Sequence, residues 1–156
     1  MNQKEKIIYC AGIVDGEGYV AIKKTMNKKS CPSPTYHERI QIRMIDEGVI
    51  SFFKELFGGS YYKEKPNCKN GNPLYCYQAS DLMAYKICKT LLPYLIIKKD
   101  NAERIMKLRE SKYNINKAQR GGNRGGRTKG KGYPMSKEIL DYREDLYQKC
   151  KRRVNA

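Results

Sequence analysis

The chain has 156 residues, enough for one domain with a core of its own and an appendage. Its 32 Lys+Arg against 16 Asp+Glu leave a formal net charge of +16, which favours a polyanionic partner. No long apolar run suggests a membrane, and Met1-Asn2-Gln3-Lys4-Glu5-Lys6 is too polar to open a secretory leader, so an intracellular protein that meets nucleic acid is expected. The six cysteines include no C-x-x-C pair and His37 is the only histidine, so a structural zinc site is not expected and the thiols read as reduced.

Residues 4–16 read as a first helix, with Ile7, Ile8, Ala11 and Val14 as its apolar stripe. Gly12 and Gly16 share one face of it and leave that face without side chains. Each costs about 1 kcal/mol of helix stability relative to alanine, a cost that close approach of another backbone would justify. Asp15 and Glu17 fall at the helix end, where the dipole repels carboxylates and a divalent cation would offset the repulsion. Gly18 can take a positive φ and release the chain into a strand over 19–25, with Tyr19, Ala21, Lys23 and Thr25 on one face and Val20 and Ile22 toward the core.

After a loop over 26–36, residues 37–44 alternate cleanly. Ile40, Ile42 and Met44 face inward, and His37, Arg39, Gln41 and Arg43 line the other face. Arg and Gln have the bidentate geometry that matches guanine and adenine edges in the major groove, the alternative being an ordinary wet sheet face. Asp46-Glu47 opens a second helix, Ile50, Phe53, Leu56 and Phe57 form its stripe, and Gly58-Gly59 ends it. A strand over 60–65 places Tyr61, Lys63 and Lys65 on one face, and a strand over 74–79 is read as presenting Tyr75 and Tyr77 beside that basic face. Ser80-Asp81 can cap a third helix that Pro93 breaks, and a further helix runs through Ile105 and Met106.

Character changes after residue 110. The stretch over 119–132 is glycine-rich, and all its charges are basic, so it cannot bury a core. It reads as an arm tracking phosphates through Arg120, Arg124 and Arg127, or as a simple linker. A last amphipathic helix follows, with a basic end that suits its dipole and could contact a nucleic-acid backbone. The expected organisation is a core over 1–112, an arm over 113–134 and a C-terminal helix over 135–156.

Cys10 through Gly18 resembles the signature motif of the LAGLIDADG homing endonucleases. Ala11, Gly12, Asp15 and Gly18 are identical to it, Ile13, Val14 and Glu17 are conservative changes, and Cys10 and Gly16 depart from it. The element order over about residues 5–110 and the segment Pro93, Leu95, Lys98, Lys99 extend the resemblance. It implies an α+β fold, an α-β-β-α-β-β-α core whose curved antiparallel four-stranded sheet forms a DNA-binding saddle, with C-terminal helices added. It implies that the motif helices of two half-domains pack together, here at Tyr9, Gly12, Ile13 and Gly16. The motif occurs once, so a homodimer on a pseudo-palindromic DNA duplex is expected.

The resemblance further implies an intron-homing nuclease that cuts both strands and leaves short 3′ overhangs. Glu17, with backbone near Gly16, would hold Mg²⁺ at the scissile phosphate; Mn²⁺ or Ca²⁺ could substitute for binding. Lys98 is expected to stabilise phosphate charge or orient water, with Lys99 on the DNA backbone. Asp46 either positions solvent or simply caps its helix, and Asp15 is expected to be structural. The DNA-binding set is then Tyr19, Lys23, Thr25, His37, Arg39, Gln41, Arg43, Tyr61, Lys63, Lys65, Tyr75, Tyr77 and Lys99, with the three arm arginines. Two other functions on the same fold stay open, a non-cleaving DNA-binding regulator and an RNA-binding intron maturase. Glu in place of the more usual Asp at position 17 moves the carboxylate by about one methylene.

Overall fold

A computed structural model describes residues 1–26, 33–66, 71–119 and 136–151, and of 114–119 the backbone alone. Its first helix, α1 (Gln3–Glu17), starts with a reciprocal cap in which Asn2 accepts the Glu5 amide and the Glu5 carboxylate takes the Asn2 amide. Cys10, Ala11 and Val14 are its buried residues. Ile8, expected in the stripe, is 45% exposed, because the buried face is centred between Cys10 and Val14 and Ile8 falls a third of a turn off it. Gly18 closes α1 at φ −77°, not in the left-handed region. A side chain is barred there for another reason: its Cβ would stand 2.6 Å from the Val14 carbonyl oxygen.

The remaining elements are β1 (Gly18–Thr25), β2 (Thr35–Met44), α2 (Glu47–Phe57), β3 (Ser60–Glu64), β4 (Leu74–Ser80), α3 (Asp81–Leu91), a 3₁₀ turn (Leu92–Tyr94), α4 (Lys99–Gln119) and α5 (Lys137–Lys151). The strands form one antiparallel sheet in the order β1-β2-β4-β3. This is the expected α+β architecture, with the α-β-β-α-β-β-α order followed by C-terminal helices. Gly58 and Gly59, at φ 77° and 87°, make the turn out of α2 that other residues would resist.

One face of the sheet is covered by helices, and Ile40, Ile42, Phe53, Tyr77, Leu91 and Ile105 belong to the core formed there. Directly paired residues share a face. Tyr77 lies opposite Ile42 and Tyr61 opposite Tyr77, while Lys63 lies opposite Tyr75, which pairs with Met44. Tyr61, Lys63, Tyr75 and Tyr77 therefore belong to the helix-backed face, which corrects the expectation that they stand beside the basic one. Tyr77 is fully buried and donates to the Gly58 carbonyl, and Tyr61 donates to Glu47 at the start of α2. Lys65 lies just past the end of β3.

Burial pushes the Cys10 and Cys88 thiols up to about 12, so both are small, protonated core residues. α4 continues to Gln119, so the boundary expected at residue 112 falls inside a helix. α5 joins the same core through Leu146 and Cys150, and Glu144 fastens it to the sheet by accepting from Lys24 and from Tyr36. The stretch 120–135, with Arg120, Arg124 and Arg127, lies outside the described residues.

Candidate functional site

Among the described residues, polar side chains come together in the open at the end of α1 and on the uncovered face of the sheet. At the end of α1, the two neighbouring carboxylates have opposite fates. Asp15 accepts the backbone amides of Ile96 at 2.7 Å and Lys98 at 2.9 Å, which ties the turn after α3 to the motif helix. Its structural role is as expected. Glu17 is exposed, and among the described residues its carboxylate makes no hydrogen bond or ion pair.

Lys98 donates to the carbonyls of Val14 at 2.7 Å and Asp15 at 2.8 Å, capping the C-terminus of α1 where the dipole favours a cation. Burial lowers its pKa below the ordinary lysine value, against the pull of Asp15 and Glu17. Two of its three N–H groups thus serve α1, and one is left over. Asp46 accepts the Val49 amide at 3.2 Å and is the N-cap of α2. Of the two roles open for it, the structure shows the cap. Lys99 is exposed at the start of α4.

Gly12 and Gly16 are both exposed, and a Cβ on either would meet nothing within 4 Å. Nothing inside the described chain explains either glycine. Tyr9 is half exposed and packs edge-on against Phe52, and Ile13 is partly buried against the core.

The uncovered sheet face carries Tyr19, Lys23 and Thr25 from β1, paired with Gln41, His37 and Thr35 of β2. Arg39 and Arg43 complete the β2 row. Glu17, Tyr19, Gln41 and Arg43 line a hollow of about 310 Å³, so the α1 carboxylate opens directly onto the basic strand. A second groove along β1, of about 470 Å³, joins Tyr19, Lys23 and Arg39 to Tyr147 and Lys151 of α5. The basic end of α5 thus shares this surface. Gln41 is only 8% exposed, with its amide held between Cys76 and Arg43. His37 bonds Asp81 at 3.0 Å, and the Thr25 and Thr35 hydroxyls bond each other.

Register adds residues that the sequence reading passed over. Gln78 and Cys76 stand opposite Gln41 and Arg43, and Ser60 and Tyr62 stand opposite Gln78 and Cys76. Gln78 accepts from Arg39, and Glu64 holds Arg43 at 3.1 Å. The mark of this face was present in β4, where Cys76, Gln78 and Ser80 alternate with Tyr75, Tyr77 and Ala79.

Among the described residues no three His, Cys, Asp or Glu side chains converge on a metal position. Glu17, which lines the hollow, fits Mg²⁺ only in the manner in which that ion takes few protein ligands, the rest coming from substrate phosphate and water. No helix among the described residues is long and apolar enough to cross a membrane.

Neither a protein-family model nor a curated protein matches the sequence. Solved structures do match the fold. The homing endonuclease I-CvuI, in complex with its target in the presence of calcium, aligns at a TM-score of 0.61 and 15% identity over 92% of this chain and 96% of its own. The archaeal intron-encoded homing endonuclease I-Vdi141I, complexed with DNA, gives a TM-score of 0.60 at 15% identity over 93% of this chain and 98% of that one. I-SmaMI, bound to uncleaved DNA in the presence of calcium ions, gives 0.62 at 16% identity; 97% of this chain matches 45% of I-SmaMI.

Proposed function

We propose that this chain, which has the fold of the LAGLIDADG homing endonucleases, is a site-specific double-strand DNA endonuclease that acts as a homodimer with Mg²⁺ and leaves 3′ overhangs. One observation carries the reading: an exposed carboxylate, Glu17, ends a glycine-faced helix and opens onto a strand face bearing Arg39, Gln41 and Arg43. The formal charge of +16 supports a nucleic-acid partner, and an intracellular location follows from that partner.

In this reading the duplex lies along the uncovered face, with its major groove over β2. Arg39 and Arg43 exchange their bonds to Gln78 and Glu64 for base edges, while Lys23 and Lys99 neutralise backbone phosphates. Glu17 stands at the centre, where a two-fold partner supplies a second Glu17 facing the opposite strand. Glu17 would hold Mg²⁺ there, and when bound the ion supplies Lewis-acid stabilisation of the charge that develops at the scissile phosphate. Lys98, fixed on the α1 carbonyls, holds its remaining proton where a phosphate oxygen can accept it.

The test is a randomised duplex library incubated with Mg²⁺, with cut ends sequenced, for the parent and for Glu17→Gln. The parent should release paired 3′ overhangs from one family of sites. Glu17→Gln should lower cutting at least 100-fold and keep affinity within about threefold, because charge is lost while size is kept. Cutting retained by Glu17→Gln would sink the catalytic assignment. Tight binding of a recovered target by the parent, with no cutting in Mg²⁺ or Mn²⁺, would favour the regulator instead.

A further inference from the structure

We propose that Asp81 is a positioning residue of the open sheet face. It fixes the His37 imidazole so that a duplex bound there takes up a proton at His37 Nε2, which frees the Thr25 hydroxyl to donate to a phosphate. This rests on the reading of the open face as the surface that meets DNA, and adds to it a residue from outside the strands and a coupled proton.

Asp81 stands where β4 passes into α3, and among the described residues it is the one non-glycine with a left-handed backbone, at φ 53°. Aspartate tolerates that conformation better than most residues, but something has to hold it there. Capping does not account for it, since Ser80, the N-cap of α3, makes no side-chain cap bond. The Asp81 carboxylate is what is held. One of its oxygens lies 3.0 Å from His37 Nδ1 and 3.5 Å from Lys112 Nζ, the same ammonium that serves the buried Glu38. Burial opposes its charge, yet the His37 hydrogen bond and the His37 and Lys112 charges keep its pKa below the ordinary carboxylate value. Both side chains of the His37–Asp81 pair are partly open to solvent, so a proton can reach them.

An ionised carboxylate only accepts, so the imidazole donates to it from Nδ1. That leaves Nε2, 3.3 Å from the Thr35 hydroxyl, which in turn lies 2.6 Å from the Thr25 hydroxyl and 3.5 Å from the Thr25 carbonyl. While His37 is neutral, Nε2 is an acceptor. Thr35 then donates to it, Thr25 donates to Thr35, and the Thr25 oxygen has only lone pairs to offer a ligand. A proton added to Nε2 from solvent reverses the chain: Nε2 donates to Thr35, Thr35 donates to Thr25, and the Thr25 O–H is released. Ionised phosphate oxygens only accept, so a DNA backbone at Thr25 fits the second arrangement alone, and the added positive charge favours the same partner. Facing His37 are Lys23, opposite it on β1, Asp81 of α3 and, through Asp81, Lys112 of α4; Glu38 and Arg39 flank it on β2. Lys23 opposes the added charge, Asp81 favours it, and the phosphate tips the balance.

His37 is the single histidine of the chain, and histidine is the side chain whose charge ordinarily changes between about pH 5 and 8. The test is affinity for a fluorescent duplex of scrambled sequence, at fixed salt in EDTA, at about pH 5.5 and about pH 8. It compares the parent with His37→Gln, Asp81→Asn and Thr25→Val. The parent should bind about fivefold or more tightly at the lower pH. His37→Gln and Asp81→Asn should each change by less than about twofold between the two. Asparagine takes the left-handed backbone as aspartate does, so Asp81→Asn should keep the fold, which thermal melting checks. If Asp81→Asn binds more weakly but keeps the parent's gain at low pH, its role is structural and the positioning assignment is overturned. Thr25→Val nearly keeps the shape, leaves Asp81 in place, and should lose at least half of the logarithmic gain. A full gain in Thr25→Val overturns the hydroxyl route. A parent that binds equally at both pH values overturns the inference and leaves the DNA reading standing, whereas a parent that binds no duplex overturns both.

Discussion

β2 carries charge on both of its faces, and the two faces treat it differently. On the helix-backed side Glu38 is fully buried; Lys112 donates to one of its oxygens and Arg109 stands 3.8 Å from the other. Arg143, itself 5% exposed, lies within electrostatic reach. On the open side Arg39 and Arg43 are held by Gln78 and Glu64, and the Arg43 side chain is 54% exposed. A buried charge is tolerable only while its partners are present, whereas a solvated pair exchanges partners at little cost. The first kind of pairing holds a fold together. The second kind leaves side chains ready for a ligand while keeping them in place.

Removing a partner on the buried side should therefore have the largest effect. Lys112→Met should destabilise the protein by about 3 kcal/mol, since it leaves Glu38 in the core with only the more distant guanidinium groups. Urea unfolding gives the value. A loss below about 1 kcal/mol would mean that Arg109 and Arg143 suffice and that the two faces differ less than argued.

On the open side the cost should move from stability to recognition. Arg43→Ala should change folding free energy by less than about 0.5 kcal/mol, yet remove about 1–3 kcal/mol of discrimination at one position in each half-site. The measurement is affinity across duplexes varied one base pair at a time. A uniform loss over all sequences would make Arg43 a phosphate contact, and a large loss of stability would make it structural.

The same contrast explains what could be read from the chain alone. β2 was legible because branched apolar residues at 40 and 42 alternate with Arg39, Gln41 and Arg43, so parity settles the face. The first helix was legible from the spacing of Ile7, Ala11 and Val14, whereas Gly12 and Gly16 meet nothing in the described chain. β3 misled because tyrosines occupy both parities, Tyr61 beside Tyr62, and β4 because its Tyr75 and Tyr77 share one parity but a tyrosine suits either face. Only the register, which sets Tyr61 on Tyr77 and Tyr77 on Ile42, decides. Glu38 shares its parity with Ile40, but its partners lie some seventy residues further along the chain, beyond any local pattern. Asp46 stayed ambiguous because a carboxylate before a helix looks the same whether it caps or meets solvent.

Glu144 gives the comparison a pH axis. The hydrogen bonds from Lys24 and Tyr36 hold its pKa down at about 2, below the ordinary value of 4.5. A depressed folded-state pKa stabilises the protein above the unfolded value, and that stabilisation is lost as pH falls from about 4.5 through about 2. Allowing for solvent screening of a pair one-third exposed, the contribution is about 1–2 kcal/mol. Glu144→Gln should therefore be less stable than the parent at pH 6 and nearly equal to it near pH 2. A constant difference at both values would show that packing of α5, not the charge, is what Glu144 provides.

The smallest effect separates two lysines that look alike in the sequence. Lys23 on β1 and Lys63 on β3 are both exposed on edge strands, but Lys23 pairs with His37 on the open face and Lys63 pairs with Tyr75 on the helix-backed face. Lys63 places its ammonium 5.6 Å from the Tyr75 ring, an exposed cation–π contact of about 0.5 kcal/mol. Lys63→Ala should thus lower stability by about that much and leave DNA affinity unchanged. Lys23→Ala should leave stability unchanged, weaken binding to target and scrambled duplexes alike, and flatten the dependence of log affinity on log salt by about one unit. Measuring affinity against salt for both variants decides it. If Lys63→Ala flattens the slope and Lys23→Ala does not, the duplex approaches from the β3 side, and the assignment of the reading surface to the open face through Tyr19, Arg39 and Arg43 fails with it.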